Sequence, residues 1–366
     1  MRNFFVTGAT GIVGSYLTKI LLERKNKVFV LSRNKEDKSA LERVKEVLNF
    51  WDKKLLKKYS DNLIVLEGDI TKEELGLDRS DKMIIQNNVE EIFHCAAVTK
   101  VNWSLNKIRK VNVEGVRNIL NLALTIKNLR KINHISTFAI CGDYKGEFSE
   151  FSLDVGQKFH TSYEYTKFLA EKLVEKYRKK GLWIDIYRLP LIIGESKKGK
   201  ILKFENIYQF FSICSSRIFD TLPLLNTHLY IAPLDYVCSG LYILSQNEQT
   251  KNKTYHLIPL KPISVERIIN IASQIMKFKK PRLVSFEKFS EKSLTPVQRL
   301  ILKNTIFAVN LKANIKSNLT DNLLKKYHFS FPKIDEKIIS CILEYFISKR
   351  RESFKEKKVS KITNGI

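Results

Sequence analysis

Residues 4–14 read FFVTGATGIVG, a short apolar strand followed by Gly8, Gly11 and Gly14 and then by the helix-like run SYLTKILLERK. Glycines at this spacing let a strand turn sharply into a helix and let backbone N–H groups approach a pyrophosphate. The helix N-terminus then favours the negative charge. A glycine-rich loop alone is a weak signal. Here it follows a strand and precedes a helix, which is the context that gives it meaning. It commits the start of the chain to a strand–turn–helix shaped for a dinucleotide.

The first half of the chain repeats that alternation. Apolar runs at 3–7, 27–32, 63–67, 91–95, 132–137 and 183–188 predict strands, and the segments 12–25, 37–59, 104–128 and 161–181 predict helices between them. Strands alternating with helices of this length predict an α/β fold, a Rossmann-type doubly wound parallel sheet with right-handed crossovers. Beyond about residue 190 the pattern becomes irregular, broken by Pro190, Gly194 and Gly199. Three parts are therefore expected: a dinucleotide-binding domain over 1–190, a smaller C-terminal α/β substrate lobe over 191–350, and a basic tail over 351–366 that frays. The lobe should return a strand to the sheet near 253–258 and end in an amphipathic helix over 335–350.

Composition narrows the function classes. The 366 residues suffice for a substantial core, and 44% hydrophobic with 28% charged residues is the balance of a soluble globular protein. Net charge is +26, carried by 48 lysines against 16 arginines, without an aromatic-interleaved basic stripe, a helix-turn-helix or an RNA-binding signature. Nucleic-acid binding is therefore not expected. The excess either serves an acidic or phosphate-bearing partner or reflects an AT-rich genome. Five scattered cysteines show no metal-ligand spacing, so reduced thiols and no metal site are expected. No signal-peptide pattern opens the chain and no apolar run reaches about 18 residues. The expectation is a cytoplasmic protein without a membrane span.

The chemistry concentrates in TSYEYTKFLAEKLV, residues 161–174, where Tyr163 and Lys167 stand four apart and share a helix face. A nearby ammonium favours the phenolate, so the Tyr163 pKa is expected below its usual value of about 10. That suits a general acid for a carbonyl reduced by hydride. Tyr165 lies two residues from Lys167 and points to another face. Upstream, INHISTFAICG ends a strand in Ser136 and Thr137, where this fold faces its cofactor crevice. The second strand ends VFVLSRNK, with Ser32 and Arg33 and no acid to hold a ribose 2′-hydroxyl. Arg33 offers a fork of donors to a 2′-phosphate, so NADPH is preferred and NAD is the alternative.

Glycine loop, strand-end hydroxyl and Tyr-x-x-x-Lys, in this order, resemble the extended short-chain dehydrogenase/reductase family over about residues 1–260. The resemblance implies a catalytic set of Thr137, Tyr163, Lys167 and a supporting Asn112 in VNVEGVRNIL. It places Thr137 rather than Ser136 in the hydroxyl role, five residues before Gly142. It implies cofactor contacts from Gly8, Thr10, Gly11, Ile12 and Gly14, from Ser32 and Arg33, and from Asp69 and Ile70 in LEGDI. It further implies that Ala96 and Ala97, with His94, lie in the loop beneath the nicotinamide ribose, which Lys167 would also meet. Asp235 matches a late structural motif. The segments LSRNKEDKSALERVKEVL, GDITKEELGLD, HCAAV and YRLPLIIGESKKG are further similar to thioester reductases and fatty acyl-CoA reductases, although Leu189-Pro190-Leu191 departs from that branch. The activity implied is NAD(P)H-dependent reduction of an acyl thioester, on coenzyme A or on an acidic acyl carrier protein, to aldehyde or alcohol. The rival readings are a sugar-nucleotide epimerase or dehydratase, a hydroxysteroid-type dehydrogenase, and a non-catalytic dinucleotide-binding regulator on the same fold.

Overall fold

In the computed structural model, which describes residues 1–100, 103–249, 251–305 and 312–363, the apolar runs assemble into one seven-stranded sheet. Its strands are β1 (Asn3–Thr7), β2 (Lys27–Ser32), β3 (Leu63–Glu67), β4 (Glu91–His94), β5 (Lys131–Thr137), β6 (Ile184–Leu189) and β7 (Thr254–His256), in the order β3-β2-β1-β4-β5-β6-β7. Every pairing is parallel. Apart from the edge strands, the strands are near-continuous runs of buried residues because helices cover both faces; β3 at one edge is mostly half-buried. Chain order reverses between β1 and β4, so a crevice opens at the carboxyl ends of those two strands. This is where the fold binds ligands. Thr7 lies opposite His94, His94 opposite His134, and Thr137 opposite Leu189.

Helix α1 (Ile12–Glu23) follows the glycine loop. The single helix expected over 37–59 is two, α2 (Ala40–Trp51) and α3 (Leu55–Tyr59). Asp52 is extended between them, and its carboxylate accepts the Lys54 N–H at 2.9 Å, a local turn that competes with the helix. A helix absent from the expectation, α4 (Arg79–Asn88), is started by Asp78, whose carboxylate accepts the Asp81 N–H at 2.7 Å. The segment 104–128 divides into α5 (Leu105–Arg109), one π-helical turn (Lys110–Glu114) and α6 (Gly115–Ala123). Helix α7 (Ser162–Arg178) opens on a capping box in which Thr161 and Glu164 satisfy each other's backbone N–H groups.

The chain divides into two units. The first holds residues 1–190, 237–258 and 312–330, and the second holds 191–236, 259–311 and 331–366. The second unit is thus interrupted twice, by 237–258, which carries β7, and by 312–330. In the first unit, Thr320 ties its segment down through hydrogen bonds to the buried Glu150 carboxylate, at 3.0 Å from its N–H and 3.2 Å from its hydroxyl. In the second unit, short strand pairs join 191–193 to 231–233 and 221–222 to 282–283. The helix Val265–Met276 packs there against the long helix Glu336–Thr363. That long helix continues past Arg350, where a frayed tail was expected, because KRRESFKEKKVSKIT contains no Gly or Pro and is rich in good helix formers. Residues 364–366 of the expected tail lie outside the described residues. Among the described residues no helix is long and apolar enough to cross a membrane.

Candidate active site

The glycine loop is shaped by close approach. Gly8 has φ +72°, and a Cβ there would meet the Ala96 nitrogen at 2.7 Å. A Cβ on Gly14 would meet the Gly8 carbonyl oxygen at 2.2 Å. Only glycine fits either position without moving backbone. The Gly11 N–H closes the turn on the Gly8 carbonyl at 2.9 Å. Helix α1 follows Gly11 with no side-chain cap, so no capping side chain occupies its first-turn N–H groups. These features fit the pyrophosphate of a dinucleotide. Thr10 in the loop and Ile12, the first residue of α1, are half-buried.

The loop's neighbours are fixed from below. Thr7 Oγ1 lies 2.7 Å from His94 Nδ1 and accepts the Ala96 N–H at 3.3 Å. His94 is buried within the sheet rather than lining the ribose loop, and burial pushes its pKa down to about 3, so the ring is neutral. Ala96 is half-buried and Ala97 exposed. Cys95 between them is a thiol that burial pushes up to about 12, and Cys141 behaves alike. Neither can supply a thiolate nucleophile near neutral pH. All five cysteines are free.

At the ends of β2 and β3 the sequence-predicted residues meet each other. Arg33, 59% exposed at its side chain, pairs with Asp69 at 3.2 Å. Burial would raise the Asp69 pKa, but hydrogen bonds from Thr71 and the Arg33 guanidinium outweigh it and hold the carboxyl below its usual value. Ser32 is buried, with its hydroxyl turned to the Arg33 carbonyl at 3.5 Å. Ile70 is buried, and its carbonyl accepts from Asn118 at 2.8 Å. One residue here escaped the sequence reading. Arg43, on α2, donates to the Arg33 carbonyl and approaches Thr10 Oγ1 at 3.5 Å. Burial and the neighbouring Arg33 charge both lower its pKa, the mark of two cations held together. Its signal was the helix face: Arg43 stands one turn after the Ser39 cap, on the side of α2 that turns back to the loop.

On α7, Tyr163 and Lys167 stand one turn apart, as their spacing requires. The Tyr163 phenol shares a hydrogen bond with Thr137 at the end of β5. Thr137 Oγ1 also accepts the Ala139 N–H at 3.2 Å, which leaves its own proton free to donate. Tyr165 is 37% exposed against Phe159 and faces elsewhere. The expectation of a depressed Tyr163 pKa is corrected: burial pushes the phenol up to about 12, despite the Thr137 hydrogen bond. The physical reason lies in Lys167, which is itself buried and aims its ammonium at the Ile135 carbonyl, 2.7 Å away. Burial lowers its pKa to about 8, with Glu171 opposing that fall. The phenol is thus fully protonated at neutral pH, the form a proton donor needs.

Asn112 sits in the π-helical turn, a feature that often marks functional positions. Its amide grips Val98 at both backbone groups, accepting the N–H at 2.8 Å and donating to the carbonyl at 3.0 Å. It also donates to Thr166 Oγ1 at 3.2 Å, between Tyr163 and Lys167. Ser136, the other strand-end hydroxyl, turns away and donates to the buried Glu171, which pairs with the buried Arg188 at 2.8 Å. Arg188 in turn contacts His256 Nε2 at 2.9 Å. Glu171 and Arg188 were not singled out as a pair from sequence. In the second unit, Asp235 accepts from Ser196 at its N–H (3.0 Å) and hydroxyl (2.6 Å), holding the GES turn. Among the described residues no group of three His, Cys, Asp or Glu side chains is placed to hold a metal ion.

Comparison with known proteins adds to this geometry. The sequence profile of an NAD-binding family described as male sterility protein matches residues 6–241. The chain is 25% identical over 362 residues to one of the linear gramicidin synthase proteins of Brevibacillus parabrevis, covering 93% of this chain and 7% of that protein. It is 32% identical over 276 residues to fatty acyl-CoA reductase 1 of Mus musculus, covering 64% of this chain and 53% of that protein. The chain therefore spans no more than about half the length of either relative. Among solved structures, a thiolation-reductase di-domain from an archaeal non-ribosomal peptide synthetase matches with a TM-score of 0.82 at 23% identity, over 96% of this chain and 76% of that one. At that identity the likeness establishes the fold.

Proposed function

Because this chain belongs to the NAD-binding male sterility protein family of extended short-chain dehydrogenase/reductases, oxidoreductases that use a nicotinamide dinucleotide, we propose that it reduces an acyl thioester to an aldehyde with NADPH. The observation that carries this reading is the hydrogen-bonded pair of hydroxyls, Thr137 and Tyr163, with Lys167 one helical turn beyond. Two proton-bearing groups converge where a substrate carbonyl would be held. Bound nicotinamide supplies the hydride. Tyr163, protonated at neutral pH, donates to the oxygen as negative charge develops on it, and Thr137 serves as the second donor. Such preorganised donors are usually the largest single contribution to this class of catalysis. The carbon–sulfur bond then breaks, releasing a thiol and leaving the aldehyde. The raised thiol pKa values of Cys95 and Cys141 favour this direct route over a covalent thioester on the protein.

The other residues have supporting roles. Lys167 holds the nicotinamide ribose, its ammonium fixed by the Ile135 carbonyl. Asn112 is a positioning residue that locks Val98 and α7 together. Arg33 and Arg43 take the 2′-phosphate of NADPH, with Asp69 steering the Arg33 guanidinium. The names of the similar proteins, a fatty acyl-CoA reductase and a thiolation-reductase di-domain, support a thioester on coenzyme A or on a carrier protein. The net charge of +26 suits an acidic carrier or the phosphates of coenzyme A.

The test is a panel assay. Purified protein with NADPH is offered acyl-CoA thioesters, free aldehydes and sugar nucleotides, and nicotinamide oxidation is followed. Oxidation with thioesters is the expected outcome. Turnover of sugar nucleotides alone, with cofactor retained through purification, would assign the epimerase chemistry instead.

A further inference from the structure

The two hydroxyls of the candidate site are carried by different elements. Thr137 ends β5, Tyr163 lies in the first turn of α7, and the connection 138–161 runs between them. That connection is stitched across its own width. Gln157 donates to the Ile140 carbonyl at 2.9 Å, the Lys158 N–H donates to the Asp143 carboxylate at 2.8 Å, and the Asp143 N–H donates to the Lys158 carbonyl at 3.0 Å. Gly142 lets the two runs touch: its φ is +54°, and a Cβ there would meet the Lys158 carbonyl oxygen at 2.2 Å.

Two residues beyond Lys158, Glu164 takes up the chain. Its carboxylate accepts the His160 N–H at 2.9 Å and the Thr161 N–H at 3.3 Å through one oxygen, while the Thr161 hydroxyl accepts the Glu164 N–H at 3.2 Å. Tyr163 lies inside that box. The first N–H groups of a helix have no partner within the helix, so the first turn depends on its cap. The Tyr163 carbonyl is held from the other side by Thr166 Oγ1 at 3.0 Å, to which Asn112 donates. The hydrogen bond between the Tyr163 phenol and Thr137 then closes a ring that runs through Asp143, Lys158, His160 and Glu164. The capping box of α2, Ser39 with Glu42, shows what is unusual here. Glu42 is exposed, and its hydrogen bonds hold its carboxyl below the usual value. Glu164 is 5% exposed, and burial pushes its carboxyl up to about 7 in spite of the His160 and Thr161 hydrogen bonds. Capping alone does not require a carboxylate to be buried at that cost.

We propose that Glu164 is a positioning residue for the reaction: through the His160 and Thr161 N–H groups it fixes the first turn of α7, so that the Tyr163 phenol and the Thr137 hydroxyl meet one carbonyl oxygen. This rests on the reading above of those hydroxyls as the donors in carbonyl reduction, and it adds the group that keeps them in register. The grip depends on protonation. A carboxylate accepts more strongly than the neutral acid, and the helix N-terminus favours its negative charge. Tyr163 on the same helix and Cys141 after β5 are the ionisable groups that feel that charge. Both stay protonated near neutral pH, with values pushed up to about 12. Protonation of Glu164 as the pH falls through about 7 therefore loosens the first turn and the phenol with it.

The test compares wild type with Glu164→Gln, which keeps an acceptor oxygen at the cap, and Glu164→Ala, which removes it. Turnover is measured at saturating NADPH between pH 6 and pH 8, with an acyl-CoA thioester and with a free aldehyde. At pH 8, kcat should fall at least about tenfold in Glu164→Ala, as for misplaced reacting groups. In Glu164→Gln it should fall only about threefold, as when a charged acceptor becomes a neutral one. NADPH affinity should stay within about twofold in both, because the box touches the phenol's helix turn and not the glycine loop. Wild-type kcat should sink toward the Glu164→Gln value as the pH drops from 8 to 6, and Glu164→Gln should be flat over that range. Wild-type turnover in Glu164→Ala, a folded Glu164→Gln as impaired as Glu164→Ala, or the same acid limb in every protein overturns the role. If Glu164→Ala does not fold, the Glu164→Gln profile decides alone, and an acid limb retained there overturns the role. Reduction of the thioester with no difference among the proteins removes the positioning role and leaves the thioester reading. Reduction of the aldehyde alone, with the expected order of variants, does the reverse. A wild type inactive on both overturns both.

Discussion

Lys167→Met should make the protein more stable while abolishing its activity. Lys167 is 3% exposed, and burial lowers its pKa from 10.5 to about 8. At about 1.36 kcal/mol per pH unit, that difference is a folding penalty of about 3 kcal/mol at neutral pH. Against it stands the charge-assisted hydrogen bond to the Ile135 carbonyl, 2.7 Å long, worth about 1.5–3 kcal/mol. Methionine fills the same channel without charge, so the net gain is about 1 kcal/mol, or about 2–4 °C in melting temperature for a unit of this size. The pH dependence has a definite sign. Below pH 8 the lysine is charged in both folded and unfolded chains and the whole penalty is present. Between about 8 and 10.5 the folded state sheds its proton first, wild-type stability rises relative to the variant, and the gain fades. Urea melts of both proteins at pH 7 and pH 10 read this directly. A variant that is less stable at pH 7, or one whose advantage is the same at both pH values, would refute the account of Lys167 as a buried charge kept for function.

Other substitutions separate the remaining roles. Arg33→Ala and Arg43→Ala should each weaken NADPH by about 1.5–3 kcal/mol, as for a charge-assisted hydrogen bond, with little effect on NADH; equal losses for both cofactors in fluorescence titrations would remove the 2′-phosphate assignment. Tyr163→Phe should cost at least about a hundredfold in turnover, the usual scale of general acid catalysis, with NADPH binding nearly intact. Tyr165→Phe should be almost silent, and a dead Tyr165→Phe would show that the wrong tyrosine has been assigned. Gly14→Ala puts a Cβ 2.2 Å from the Gly8 carbonyl oxygen, so dinucleotide binding should be lost in a protein that still folds by circular dichroism; retained binding would contradict the tight-loop reading.

The sheet was readable because most of its strands are buried on both faces and carry several apolar, often β-branched, residues between turn signals. β2 and β3 fall where the sequence placed them, at 27–32 and 63–67. Boundaries failed where a side chain captured backbone. Asp52 splits α2 from α3, and Asp78 starts a helix too polar to show a clear apolar period. The π-helical turn at Asn112 leaves no sequence mark, because one extra residue in a helical turn changes neither composition nor overall period. That Tyr163 and Lys167 share a helix face was legible from their spacing, and their candidacy came from the glycine loop and strand-end hydroxyl beside it, but the sense of the Tyr163 shift was not legible. Spacing reports which charges are near, whereas the shift depends on how much water is excluded, and burial wins here. Arg43 was missed for a related reason: its contacts to Arg33 and Thr10 span 10 and 33 residues of sequence. The split between the two units was partly hidden because segments 237–258 and 312–330 return to the first unit after long excursions.

The chemistry proposed for this protein breaks a carbon–sulfur bond at the expense of NADPH. The most direct measurement follows thiol release and NADPH oxidation together, with an acyl-CoA thioester as substrate and the aldehyde trapped as its oxime. The account predicts one thiol released for each NADPH oxidised, and loss of both signals together in Tyr163→Phe. NADPH oxidation without thiol release, or thiol release that proceeds without NADPH or survives undiminished in Tyr163→Phe, would contradict it.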